Sequence, residues 1–342
     1  MTGAVERSHG RAVDAQPSGE SLLFAGGLFC DLTFADAGIP TTGEEVFARR
    51  LRMSPGGVAT RAVAAARLGA HASIVSVVGD DPLGRFVRDA LSAESRVDVS
   101  EIAVLPHHQT AVTVALTDKN DRSFITYEEQ ASTPEPREQG FAAAHVSVAE
   151  ELPEWTRTMR QTGTLLFGGV GWDASEGWSS EVLDNLELVD VFVPNEVEAI
   201  GYTGVNDAVT AAKVLAEHVS LAVVTRGANG VVAVDSSTNT VYDIPGVSVD
   251  AIDPTGAGDV FVGALMAGSL HGWDTETNLR FACLCAATSV TQIGSSAAAP
   301  TVQHLHHLID DGHVPGEWSF LSDLPRSSKK QSYTESHQKE TS

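Results

Sequence analysis

The chain has 342 residues, 42% of them hydrophobic, enough for a large core in one α/β domain, and its formal net charge is −23. A surface this acidic repels phosphate backbones and excludes non-specific nucleic-acid binding, although a locally positive pocket can still take a phosphorylated small molecule. The three cysteines, Cys30, Cys283 and Cys285, are an odd, sparse count that indicates reduced thiols in a cytoplasm rather than a disulfide framework.

Residues 1–20 are polar, carry no apolar signal core and are expected to form a disordered leader. No apolar run reaches the length of a membrane span, so no membrane partner is expected. Residues 21–30, "SLLFAGGLFC", read as a buried strand ending at Gly26-Gly27 with Asp31 just beyond. Residues 45–53, 110–118 and 123–129 alternate apolar and polar side chains, as half-exposed antiparallel strands do. They predict a small β lid formed mainly from residues 33–53 and 100–129. Between them lie an Ala-rich helix opened by Gly56-Gly57, the strand "ASIVSVVG", and a helix started by Asp81-Pro82 with Leu83, Phe86, Val87 and Leu91 at helical spacing.

From about residue 145 short apolar strands alternate with helices, the pattern of βαβ units and a mostly parallel sheet. "GVVAVD" and "NTVYDIPG" form a hairpin, and helices over 256–271 and 276–292 close the core. Residues 325–342 have little to bury and are expected to be a disordered tail. In such folds ligands bind beyond the carboxyl ends of strands, which singles out the loops 26–31, 168–173, 194–198, 225–230 and 253–259.

The last of these, "DPTGAGD", sets Gly256, Ala257 and Gly258 before Asp259 at the start of an apolar helix. A helix N-terminus offers unpaired N–H groups and partial positive charge, and small residues there let an anionic oxygen approach. A carboxylate beside it can take a proton from a hydroxyl while the N–H groups stabilise a transferred phosphoryl group. On spacing alone an ordinary Gly-rich helix start, with Asp favoured by the helix dipole, is an even match.

The motif resembles the C-terminal signature D-T-x-G-A-G-D of the PfkB, or ribokinase-like, sugar kinases, with Pro254 in place of Thr. "GGLFCDL", "PGGVATRAVAAARLGA", "VVGDDPLG", "PNEVEA" and "VTRGANG" resemble further landmarks of that family in the same order, over residues 21–302. The resemblance implies a three-layer α/β/α sandwich with a mostly parallel central sheet and an inserted β-sheet lid, in one kinase domain over 21–324. It implies ATP as phosphoryl donor and Mg²⁺ and K⁺ as cations. Asp259 is then the base, and the N–H groups of Gly256, Ala257 and Gly258 form the anion hole. Asn195 and Glu198 place Mg²⁺, Glu198 through water. Thr225, Gly227, Gly230, Thr255 and Cys283 join Asn195, Gly256 and Gly258 at the nucleotide, and Asp253 lines a monovalent-cation site. Asp31, Gly56, Gly57, Thr60, Arg122 and Asp259 meet the acceptor. Relatives' lids often pair, so a homodimer through the lid is implied too.

The family's Asn in the Gly-Gly helix is absent. Counting back from "AVAAARLGA" its slot is Thr60; counting forward from Gly56 it is Arg61. Arg226 follows Thr225 where an apolar residue is common, and phosphate or solvent is its expected partner. Trp172 and Trp178 either shape the pocket or pack a loop. His304, His306, His307 and His313 lack acidic or Cys partners at metal-ligand spacing and are not read as a metal site. The resemblance implies a sugar or sugar-like alcohol as acceptor, or alternatively a nucleoside, for which Phe34 and Tyr127 offer aromatic shelves. A silent sugar- or nucleotide-sensing relative would not need Asp259, and a dinucleotide dehydrogenase would need a G-x-G-x-x-G that "GGLFCD" lacks.

Overall fold

The computed structural model describes residues 21–117, 122–137, 140–171, 177–310 and 318–324. The expected disordered ends, 1–20 and 325–342, and Trp172 and His313 lie outside the described residues. Along the chain run β1 (Ser21–Ala25), β2 (Leu28–Ala35), β3 (Arg50–Gly57), α1 (Val58–Arg67), β4 (His71–Gly79), α2 (Pro82–Ser92), β5 (Val97–Asp98), β6 (Ile102–Leu105), β7 (Ala111–Thr117) and β8 (Arg122–Tyr127). There follow β9 (Ala143–Ser147), α3 (Glu154–Thr162), β10 (Leu165–Gly169), α4 (Glu181–Asn185), β11 (Val191–Phe192), α5 (Glu196–Thr203), α6 (Ala208–Leu215), β12 (Leu221–Thr225), β13 (Val231–Asp235), β14 (Thr240–Ile244), α7 (Ala257–Ser269), α8 (Thr275–Ser289) and α9 (Val302–Asp310).

The large sheet has the order β14-β13-β12-β11-β10-β9-β1-β4-β5, with β6 also on β4. It is parallel from β12 through β5, and β13 and β14 extend it antiparallel. Period-two alternation sends side chains to both faces. Leu22, Phe24, Leu165 and Phe167 join the core under α1, α7 and α8. Leu23, Ala25 and Leu166 pack with Met159 of α3, while Phe192, Ala222 and Val224 pack with α5 and α6. The result is the three-layer α/β/α arrangement expected. α7 is central to it: every residue from Val260 to Gly268 is buried. No helix among the described residues is long and apolar enough to cross a membrane.

The lid is a separate sheet, β3-β2-β7-β8, and here two expectations need correction. First, residues 21–30 are not one strand. Gly26, at φ +144, breaks the chain between β1 and β2, and Asp31 sits inside lid strand β2, paired with Ser54 and Thr113. Second, residues 102–105 pair with β4 of the main sheet, not with the lid, and 36–49 contain no strand. As expected, Gly57 opens α1 as its N-cap, and Gly56-Gly57 also end β3. β9 and α3 had no sequence-based counterpart.

The "GDDPLG" segment has a structural use. Asp81 caps α2 by accepting from Gly84 N at 2.7 Å, and it also accepts from Thr110 N at 2.7 Å, just before lid strand β7. A carboxylate that satisfies two otherwise unpaired backbone donors fixes both segments to each other. The lid's root is thereby tied to the α/β body.

Candidate active site

Asp31 is 7% exposed, and its Oδ2 accepts from Ser295 Oγ at 2.6 Å. Burial raises its pKa from 3.8 to about 6; the Ser295 hydrogen bond opposes the shift, while Asp259 and Asp253 add to it. Ser295 is held in turn: Arg67 Nη1 donates to the carbonyls of Ser296, Ala297 and Ala299 at 3.2, 3.1 and 2.7 Å, and Ser296 Oγ donates to the carbonyl of Pro55. Gly56 makes room for Asp31, because a Cβ there would overlap the Asp31 carboxyl group. Gly57, at φ +64, takes a backbone conformation that favours glycine.

At the start of α7, Gly256 is the N-cap at φ +78, and Asp259 lies in the first turn. A Cβ on Gly256 would stand 2.8 Å from Ser295 Cβ, whereas one on Gly258 would meet nothing within 4 Å. The loop before it is clasped by Asp253, 1% exposed, whose two oxygens accept from Thr255 N at 2.9 Å and Gly294 N at 3.0 Å. Thr255 Oγ1 is buried without a hydrogen-bond partner.

Arg61 was named only as a slot lacking Asn. Its Nη2 lies 2.7 Å from Asp259 Oδ1, an ion pair that sequence order did not reveal. Counting forward from Gly56 thus reaches the residue beside Asp259. Thr60 instead is fully buried, with its methyl toward Gly256 and its hydroxyl unpartnered. Arg122 opens β8 opposite Thr117; its side chain lies outside the described residues.

Two cavities lie near the start of α7, one lined by its residues Ala257 and Gly258 and one linked to it through Arg61, the partner of Asp259, with neither Asp31 nor Asp259 in its lining. One, of about 620 Å³, is lined by Gly26, Gly27, Gly57, Arg61, His145 and Gly169 among others. Its aromatic lining is Phe29 and Tyr202, not Phe34 or Tyr127. Trp178 packs edge-on against Tyr202 at 5.2 Å between ring centroids, so it shapes this wall. The other cavity, of about 400 Å³, is lined by Thr225, Gly227, Gly230, Ala257, Gly258 and Cys283. Burial pushes the Cys283 thiol up to about 12, so it acts as a small apolar side chain. Arg226 does not reach out to phosphate. Its Nη2 is spent on Asp243 and on the carbonyls of Asn229 and Val231, which hold the 226–230 loop.

Asn195 and Glu198 form a capping box at α5: Asn195 Oδ1 accepts from Glu198 N at 2.9 Å and Glu198 Oε2 accepts from Asn195 N at 2.8 Å. Glu198 is 8% exposed, and burial first, then Asp259, raises its pKa. A buried carboxylate with one oxygen outside the box, felt by Arg61 but in no salt bridge with a described residue, suits a hard divalent ion. Among the described residues no group of three or more His, Cys, Asp or Glu is arranged to hold a metal by itself, so such an ion would need further oxygens from a ligand.

Comparison with known proteins gives the same grouping. The model of the pfkB family carbohydrate kinases matches residues 21–302. A ribokinase of Haemophilus influenzae is 29% identical over 280 residues, 76% of this chain and 89% of that protein. A fructokinase of Escherichia coli is 30% identical over 285 residues, 75% and 92% of the two chains. The structure of a putative ribokinase II from E. coli in complex with ATP and Mg²⁺ superposes with a TM-score of 0.73 at 23% identity, covering 85% of this chain and 99% of that one.

Proposed function

Because this chain belongs to the pfkB family of carbohydrate kinases, we propose that it transfers the γ-phosphate of ATP to a hydroxyl of a sugar or sugar-like alcohol, with Asp259 as general base. The observation that carries this reading is the placement of the first turn of α7. Ala257 and Gly258 line one cavity, and Asp259 reaches Arg61, which lines the other. A nucleotide in the first and an alcohol in the second meet at that turn.

In this reading Asp31 accepts hydrogen bonds from acceptor hydroxyls. Asp259 takes the proton of the attacking hydroxyl as its oxygen bonds to the γ-phosphorus. The bond from that phosphorus to the β-bridging oxygen breaks, and ADP leaves. The N–H groups of Gly256, Ala257 and Gly258 hold the oxygens of the migrating group, and Arg61 keeps Asp259 oriented beside them. Asn195 and Glu198 would hold Mg²⁺ at that end of the site, and the ion would supply charge neutralisation to the phosphates. The lid excludes water from the acceptor. K⁺ at Asp253 belongs to the same reading; initial rates in potassium against tetramethylammonium salts test it. So does a homodimer through the lid.

The test is an ADP-release assay over ribose, fructose, 2-keto-3-deoxygluconate, fructose 6-phosphate and nucleosides. Release that depends on one of these acceptors is expected. ATP turnover that ignores every acceptor contradicts the reading.

A further inference from the structure

One side chain in the acceptor cavity has no task in the transfer chemistry. His145 lies on β9, in register with Phe24 of β1 and Phe167 of β10. Nearby positions on that face of the sheet are apolar: Leu22, Phe24, Ala143, Leu165 and Phe167 all belong to the core. His145 is 2% exposed, yet neither ring nitrogen has a hydrogen-bond partner. A buried polar group left unpaired costs free energy, and a Leu or Met would fill the same slot without that cost.

The cavity explains the exception. His145 lines it together with Arg61, Ser147 and Gly169. Gly169 leaves the edge of the ring uncovered by any side chain of its own: a Cβ there would stand 2.8 Å from His145 Nε2. The imidazole, in the middle of β9, is therefore buried against protein on the floor of a cavity that extends past the carboxyl ends of β9 and β10, lined there by Ser147, Ala149 and Gly171, where parallel sheets bind ligands.

We propose that His145 is an acceptor-binding residue that reads hydroxyl groups of a neutral, polyhydroxylated acceptor. This rests on the kinase reading and deepens it. Burial, and then the Arg61 charge, holds the imidazole pKa well below its ordinary value. At neutral pH the ring is uncharged, so one nitrogen donates and the other accepts, which is what a pair of hydroxyls needs. Among the described residues that line the cavity, a carboxylate or phosphate on the acceptor would find no spare positive charge. Arg61 is already engaged by Asp259, and Glu128 adds a further carboxylate to the cavity wall.

The test compares wild type with His145→Leu and His145→Gln, using D-ribose, D-fructose, D-gluconate and fructose 6-phosphate as probes. In His145→Leu the KM for the neutral sugar is expected to rise about 10- to 100-fold, roughly tenfold or less for each of two lost hydrogen bonds, with KM for ATP unchanged. His145→Gln, which keeps a donor and an acceptor, recovers most of the affinity. Without acceptor, His145→Leu melts at or above wild type, because an unpaired polar group has been removed; stabilisation by added sugar is lost. Wild type that turns over a neutral sugar while His145→Leu keeps the same KM overturns the inference and leaves the kinase reading standing. Preference for the gluconate or the sugar phosphate overturns it too, as does a fall in melting temperature shared by both variants, which marks a packing role. Wild type that phosphorylates nothing in this set or among nucleosides sinks the kinase reading, and the inference with it.

Discussion

Gly258 and Asp31 show how single positions divide between fold and ligand. An added Cβ at Gly258 meets open space, and alanine favours a helix over glycine by about 0.5–1 kcal/mol. Gly258→Ala should therefore melt no lower than wild type while KM for ATP rises, because the methyl group occupies the phosphate's approach. A melting temperature that falls, or an unchanged KM, contradicts an anion hole there. Asp31 makes a pH prediction. Its pKa lies near 6 when folded, above the ordinary 3.8, so ionising it opposes folding. The stability it contributes is full below about pH 4 and lost as pH rises through about 6. Acceptor binding by the carboxylate runs the other way, so KM for the acceptor falls as pH rises through about 6. A KM that stays flat from about pH 5 to 7 counts against Asp31 as an acceptor ligand. The Gly256–Asp259 turn was legible because its residues are contiguous. The Ser295–Asp31 hydrogen bond joins residues 264 positions apart, and nothing local marks it.

At the scale of elements, the site depends on how α1 crosses α7. Gly263 lies one turn beyond Asp259, and a Cβ there would run into the backbone carbonyl of Arg61. The bare surface lets the helices approach closely enough for Arg61 to reach Asp259. Gly263→Val should cost about 1–3 kcal/mol from overpacking and lower the transfer rate beyond what the lost stability explains. Denaturant melts paired with rates well below the midpoint check this; full activity in a folded variant would separate the crossing from the chemistry. Helices α2, α5, α7 and α8 were readable from caps and apolar spacing. β9 was not, because "AAHVS" carries the alanines of a helix: only burial on both faces, between β1 and β10, makes such a segment a strand. The lid strand β2 was hidden for a related reason. Gly26-Gly27 sits inside one continuous apolar run, and sheet membership is a tertiary property.

For the whole molecule, the alternation of strands and helices after residue 145 was enough to give the layered parallel sheet, and the lid was visible as early alternating strands. Its outer surface was not. Leu51 and Ile125 are 61% and 67% exposed, with Tyr127 also exposed on the same face of the sheet, on the lid strands β3 and β8. Exposed apolar patches of this kind mark association surfaces, and both strands are sheet edges. A dimer is the expected species in sedimentation or light scattering, and Leu51→Glu with Ile125→Glu is expected to convert it to monomer. Wild type that stays monomeric at high concentration contradicts lid pairing.

In the proposed reaction the carboxylate in the first turn of α7 activates the acceptor hydroxyl. This role is tested most directly by the rate of phosphoryl transfer from ATP to the best acceptor by Asp259→Asn beside wild type. The variant is predicted to melt like wild type and to bind ATP equally well, with transfer slower by about 10²–10⁴-fold. Transfer within a few-fold of wild type by a well-folded Asp259→Asn would contradict the account.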